Sequence, residues 1–373
     1  MTIAADVSIR WRAPLLVLAF VSLLLGIAAG LARLGWSLPA AGLASMHGPL
    51  MASGFFGTVI SLERAVALRR HWAYAAPLLS GLATVAIVAG ATSVVAPALA
   101  TGGSAVMLAA SATVFRQQRE FFTLTLALGA VAWTAGNLVW LAGQPIYAAA
   151  PWWIVFLVLT IAGERLELSR LLPPSLRAKR VFAALTVVML GGVLVAMLAR
   201  RAGTTALGLA LTGLAIWLVR QDIARRTVRT RGLTRFIAVC LLSGYGWLAV
   251  SGASMLGSDG LGYGGPAYDA ALHAALLGFV FAMVFGHAPI ILPAVLRVAV
   301  PYSPWFYAPL ALLHLSIAVR LAGDWLGSIE WRAWGGALNG LALVAFVAAT
   351  IVAILRGLLQ QRPKRLRKIE GVP

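Results

Sequence analysis

Long apolar stretches separated by short polar or basic connections run the length of the chain, and twelve of them reach the roughly 20 residues that an α-helix needs to cross the hydrocarbon of a bilayer. The predicted spans lie near 13–35, 43–68, 74–92, 95–115, 121–142 and 148–170 in the first half. The second half reads 180–199, 204–219, 234–256, 268–296, 303–322 and 334–358. The pattern predicts an all-α protein forming one integral membrane bundle over residues 1–373, and the connections are too short to hold a soluble domain.

Composition supports the same class. Hydrophobic residues make up 61% of the chain and charged residues 11%, against about a quarter charged in soluble domains. The single cysteine, Cys240, sits in an apolar stretch, so neither a disulfide framework nor a thiolate cluster can be built from it. The first apolar run follows Arg10 and Arg12 as a signal peptide would, but it extends from Ala13 to about Gly35 and is read as a retained first helix.

Charge then orients the bundle. There are 30 Lys and Arg against 11 Asp and Glu, and cytoplasmic loops carry the excess of Lys and Arg. Numbering the spans from a cytoplasmic amino terminus places 25 of the 30 basic residues inside, leaving Arg33, Arg200, Arg201, Arg320 and Arg332 outside. Miscounting one helix in the middle would scramble this separation. The expectation is a multi-pass protein of the bacterial inner membrane with both termini in the cytoplasm. The basic clusters at 220–235 and 356–368 then read as topology determinants lying against an anionic leaflet, not as nucleic-acid sites. A weak internal echo, Ile60, Glu63 and Arg64 recurring as Ile161, Glu164 and Arg165, fits a chain of repeated four-helix units.

Ionisable groups inside a membrane are costly and are candidates for function. His71 stands beside Arg69 and Arg70 in a predicted loop, an ordinary solvated setting. His47 and His273 lie early in the second and tenth spans, which run in the same direction. At about 1.5 Å of rise per residue each imidazole sits roughly 6 to 8 Å below the outer surface. Two neutral imidazoles level with each other on different helices are what bis-histidine ligation of a haem iron requires. Gly42, Gly48, Gly54 and Gly57 around the first, and Ala274, Ala275 and Gly278 after the second, leave room for a macrocycle; they equally permit close helix packing.

Haem propionates need cations at the same end, and Arg320, closing the eleventh span, and Arg332 beyond it are available; alternatively Arg320 pairs with Asp324 four residues on. His314 offers a distal group, an alternative ligand or a helix-to-helix hydrogen bond. His287, fourteen residues past His273, is roughly 20 Å deeper and cannot bind the same iron. Asp269, one turn before His273, could fix its tautomer or mark the helix start. Glu63, Arg64, Glu164, Arg165 and Glu167 read either as a proton uptake point or as interfacial salt bridges.

Twelve spans with a histidine early in the second and tenth, and the run His47, Gly48, Pro49, Leu50, Met51, resemble subunit I of the haem-copper oxidases. That resemblance implies three four-helix repeats, a low-spin haem between the two histidines, and Arg320 near its propionates. The copper ligands of that family have no counterpart: spans six and seven carry no histidine, and Ala271 stands two before His273. An oxygen-reducing centre is therefore not expected. His273 and Ala274 through Gly278 and Met283, then a helix ending in Arg320 followed by Gly323, are similar to the NnrS family of haem and copper membrane proteins. This implies haem b, possible copper, and a part in the response to nitric oxide, redox sensing or electron transfer with a gas ligand or redox partner. The competing expectation is a secondary transporter, whose signs would be broken helices and free polar groups at mid-membrane; Gly136 with Asn137 and Ser243 through Gly246 are its candidates.

Overall fold

The computed structural model describes residues 7–168, 174–256 and 265–369, with side chains to 359. Twelve helices are long and apolar enough to cross a membrane. They are α1 (Ile9–Arg33), α2 (Ala41–Leu68), α3 (His71–Val88), α4 (Val95–Gln117), α5 (Phe121–Leu141) and α6 (Ile146–Leu168). They continue as α7 (Leu176–Ala196), α8 (Arg200–Gln221), α9 (Gly232–Leu256), α10 (Pro266–Leu296), α11 (Pro304–Leu326) and α12 (Ile329–Leu359). The last runs on as helix to Ile369. The protein is an all-α polytopic membrane bundle. Arg170 and most of the loop expected near 257–267 lie outside the described residues.

Consecutive helices pack most heavily against each other, and α1 reaches across to α2, α10 and α12. Exposed tryptophans collect at the two ends: Trp11, Trp72 and Trp305 on the amino-terminal face, Trp325, Trp331 and Trp334 on the far face. Such aromatic belts sit at membrane–water interfaces.

Two helices depart from regular geometry in the same way. After His47 the backbone of α2 widens into a π-helix over Leu50–Gly57, and after His273 that of α10 does so over Ala274–Phe281. Small residues let neighbours approach these stretches: a Cβ on Gly57 would lie 2.2 Å from the Trp133 ring, and one on Gly54 2.1 Å from Ser22 Oγ. Both helices end on an arginine in the left-handed region, Arg69 at φ 54° and Arg297 at φ 55°. Non-glycine residues seldom adopt this conformation.

Helix α11 does not close at Arg320 as the sequence reading expects. It continues to Leu326 and stops where Gly327 takes φ 69°, so Arg320 lies within the helix and is buried. Its side chain can remain there because a carboxylate from another helix meets it.

Ionic and polar ties hold helix ends and the bundle centre. Arg12 of α1 donates to the Val295 carbonyl at the end of α10. Arg165 of α6 forms two hydrogen bonds, of 2.7 and 3.0 Å, with Asp222 just after α8, and the Tyr245 hydroxyl and Ala224 N–H donate to the same carboxylate. The echoed Arg165 thus bonds across helices to a residue the sequence reading had not singled out. In the centre, Asn137 accepts from Ser53 Oγ and the Trp153 indole and donates to the Ala100 carbonyl.

Candidate functional site

The structure brings His47 and His273 together. Their ring centres are 6.2 Å apart with planes within 17° of parallel. Two imidazoles sharing one metal ion through bonds of about 2 Å have ring centres roughly 6 Å apart, which is the spacing found.

Each ring is locked by a backbone carbonyl. His47 Nδ1 lies 2.7 Å from the Gly26 carbonyl oxygen and His273 Nδ1 lies 2.8 Å from that of Asp269. A carbonyl can only accept, so both Nδ1 atoms carry the proton and both Nε2 atoms keep their lone pairs. That is the second-shell arrangement of metal-binding histidines. The sequence offers the Asp269 side chain for this task, or else as a marker of the helix start, and it does stand in the first turn. The main chain performs the task instead; the carboxylate stands 3.3 Å from the same nitrogen but is engaged elsewhere.

Glycines of α1 make room for the first histidine. A Cβ on Gly30 would lie 2.8 Å from His47 Nδ1, and one on Gly26 would lie 2.5 Å from Met51 Sδ. The small residues that the sequence points to lie on α2 and α10, whereas this wall belongs to α1.

Both rings line a cavity of about 260 Å³. That is about twenty times the ~10–15 Å³ one water requires, so there is room for a ligand. Its walls are mostly apolar, with Ile27, Met51, Leu272, Leu276 and Leu343 among them, and Phe56 and Phe281 from the two π-helical stretches lie deeper in. The two phenyl rings meet at 5.0 Å between centres.

Cations gather at the far-face end. Arg33, Arg320 and Arg332 all line the cavity. Arg320 binds Asp269 through Nε at 2.7 Å and Nη2 at 2.9 Å. Arg332 Nε lies 2.6 Å from Asp324, and its Nη2 lies 3.9 Å from Asp269. The alternative reading, in which Arg320 pairs with Asp324, gives way to a crossed pairing. On a single helix those two side chains would meet at the surface, but α10 and α12 offer closer partners inside. Arg33 is exposed and makes no ion pair among the described residues.

Other expected groups lie elsewhere. His314 is not among the residues lining the cavity; its Nδ1 accepts from the Trp247 indole at 2.9 Å. His287 is bound through Nδ1 to the Met283 carbonyl, near Arg165 and Asp222. Glu63 and Glu164 interact electrostatically with Arg64 and with Glu167 at the opposite end of the bundle. Asn137 spends its amide on protein partners, and α5 and α9 run without a break, so the polar groups a solute carrier would need there are already bonded.

What the residues could hold follows from the donor set. Among the described residues no group of three or more His, Cys, Asp and Glu side chains could hold a bare ion. Two imidazoles alone leave an ion short of ligands. A porphyrin would supply the missing nitrogen donors, and its carboxylate edge would suit the arginine end of an otherwise apolar slot. The residues present fit such a group.

Fold and site together define a polytopic α-helical membrane protein with a paired-histidine cavity near one membrane face. The chain belongs to a family described as a domain of unknown function (DUF8744), whose sequence profile matches residues 12–355. No curated protein matches the chain, and no solved structure does.

Proposed function

We propose that this protein is a b-type haem-binding membrane protein of the NnrS kind that passes electrons at the outer face of a bacterial inner membrane, in redox sensing or the response to nitric oxide. The observation that carries the reading is the His47–His273 pair, 6.2 Å apart between ring centres, each ring fixed with Nε2 free. A haem, once bound, supplies one-electron chemistry.

The protein's own groups then have distinct tasks. His47 and His273 would hold the haem iron between them, and an iron held by two imidazoles would favour electron transfer over gas binding. Leu272, Leu276, Leu343 and Phe281 keep water from the metal. Arg320 and Arg332, already matched by Asp269 and Asp324, bring a nearly neutral cluster to the carboxylate edge, and exposed Arg33 adds an unmatched positive charge. The shared features of α2 and α10, a histidine, a π-helical stretch and a left-handed arginine cap, support descent from repeated units.

The test is a visible spectrum of detergent-purified protein with a pyridine haemochrome assay. A Soret band with sharp reduced α and β bands is expected, and it should be lost in both His47→Ala and His273→Ala. A folded wild-type protein without colour or haem would falsify the proposal.

A further inference from the structure

In the cavity wall, the side-chain amide nitrogen of one buried asparagine has no acceptor among the described residues. Asn339 of α12 is 4% exposed and lines the cavity. The Ser316 hydroxyl lies 2.6 Å from its Oδ1 and 2.8 Å from the Leu313 carbonyl. With the amide in this orientation, Nδ2 is a buried donor without an acceptor. A buried donor left unsatisfied is costly, so its place on the cavity wall calls for an acceptor on the ligand.

A second donor stands beside it. Arg320 spends Nε and Nη2 on Asp269, which leaves Nη1 outside that fork. Nη1 lies against Gly336, where a Cβ would come within 3.2 Å of it. Gly336 and Asn339 are three residues apart on α12, on one face about one turn apart. Nη1 and Nδ2 are therefore neighbouring donors on one wall, one charged and one neutral. Arg33 and Arg332 line the same cavity, and the rest of its wall is mostly apolar.

We infer that Asn339 and Arg320 Nη1 together form a carboxylate-binding subsite inside the cavity, with Asn339 as the positioning residue that fixes the acid edge of the bound ligand. The inference rests on the haem reading and adds to it a specific contact for one propionate. It also explains why a buried asparagine is braced by Ser316 while half of its amide is left unused.

The experiment compares two porphyrins that differ only at the edge. Wild-type protein and Asn339→Leu are loaded with protohaem or with iron etioporphyrin, whose periphery is all alkyl, and release to an excess of a haem-scavenging apoprotein is timed. Asn339→Leu should lose protohaem about tenfold faster than wild type, from the loss of one charge-assisted hydrogen bond, and should lose iron etioporphyrin within twofold of the wild-type rate. Asn339→Ser, too short to reach the edge, gives the same contrast if the leucine variant does not accumulate. Equal acceleration for both porphyrins, or for neither, overturns the subsite. Wild-type protein that retains neither porphyrin overturns the haem reading and the subsite with it.

Discussion

At the scale of single residues, the site depends as much on what is missing as on what is present. His47 can stand where it does because Gly30 has no side chain: a Cβ there would lie 2.8 Å from Nδ1 and 2.9 Å from Cε1. The ring cannot swing away freely, since its Nδ1 is tied at 2.7 Å to the carbonyl of Gly26, one turn before Gly30 on α1. Gly30→Ala should therefore displace the imidazole and reduce haem retention at least tenfold, while far-ultraviolet circular dichroism shows the helix content of the wild type. Retention equal to the wild type's would mean that the ring is not the ligand. Histidine positions and a helical rise were enough to suggest the pair from the sequence. Gly30 and Asn339 were not legible, because nothing in a run of apolar helix marks which small or polar residue faces a ligand.

At the scale of helices, the arginine–aspartate ties decide how elements meet. Asp222 joins α6 to the connection after α8 through Arg165, 57 positions away in the chain, with side chains only 8% and 3% exposed for the arginine and aspartate. Burial pushes the Asp222 pKa up, but the hydrogen bonds and charge of Arg165, with the Tyr245 hydroxyl and the Ala224 amide, outweigh it and hold the carboxyl below its usual range. A carboxyl depressed in the folded state contributes stability that is complete above its ordinary value of about 3.9 and is lost as pH falls through the lower folded value. Thermal unfolding in detergent should thus show a midpoint insensitive to this group above about pH 5 and dropping in more acidic buffer. Asp222→Asn should remove that acid-dependent component and lower stability by about 3–5 kcal/mol, since Arg165 is left buried without its counter-charge. A variant as stable as wild type would show the pair to be dispensable. The sequence showed Arg165 through its echo with Arg64, yet its partner lay outside every local pattern.

For the whole molecule, twelve helices and a one-sided charge distribution make a joint prediction. With 25 of 30 basic residues on one side by alternation, both termini should be cytoplasmic and the histidine cavity should open toward the outer face. A carboxy-terminal fluorescent protein should glow and a carboxy-terminal alkaline phosphatase should stay inactive, with the reverse for phosphatase fused after Arg33. Active phosphatase at the carboxyl end would invert the topology and place the cavity on the cytoplasmic side. The exposed tryptophans at both ends fit either orientation, so only the charges choose between them.

The chain's linear pattern determined the helix count, their approximate limits and the sidedness expected of them, because transfer into lipid is a sum over consecutive residues. It also placed His47 and His273 at one depth, because depth along a helix is proportional to residue number. Tertiary structure decided which groups meet: that Arg320 binds Asp269, 51 residues before it, and not Asp324 four residues after; that main-chain carbonyls and not a carboxylate fix both imidazoles; that His314 turns to Trp247. Those choices depend on the rotation of each helix about its axis and on the distance between axes, and neither quantity is carried by hydropathy or charge read along a line.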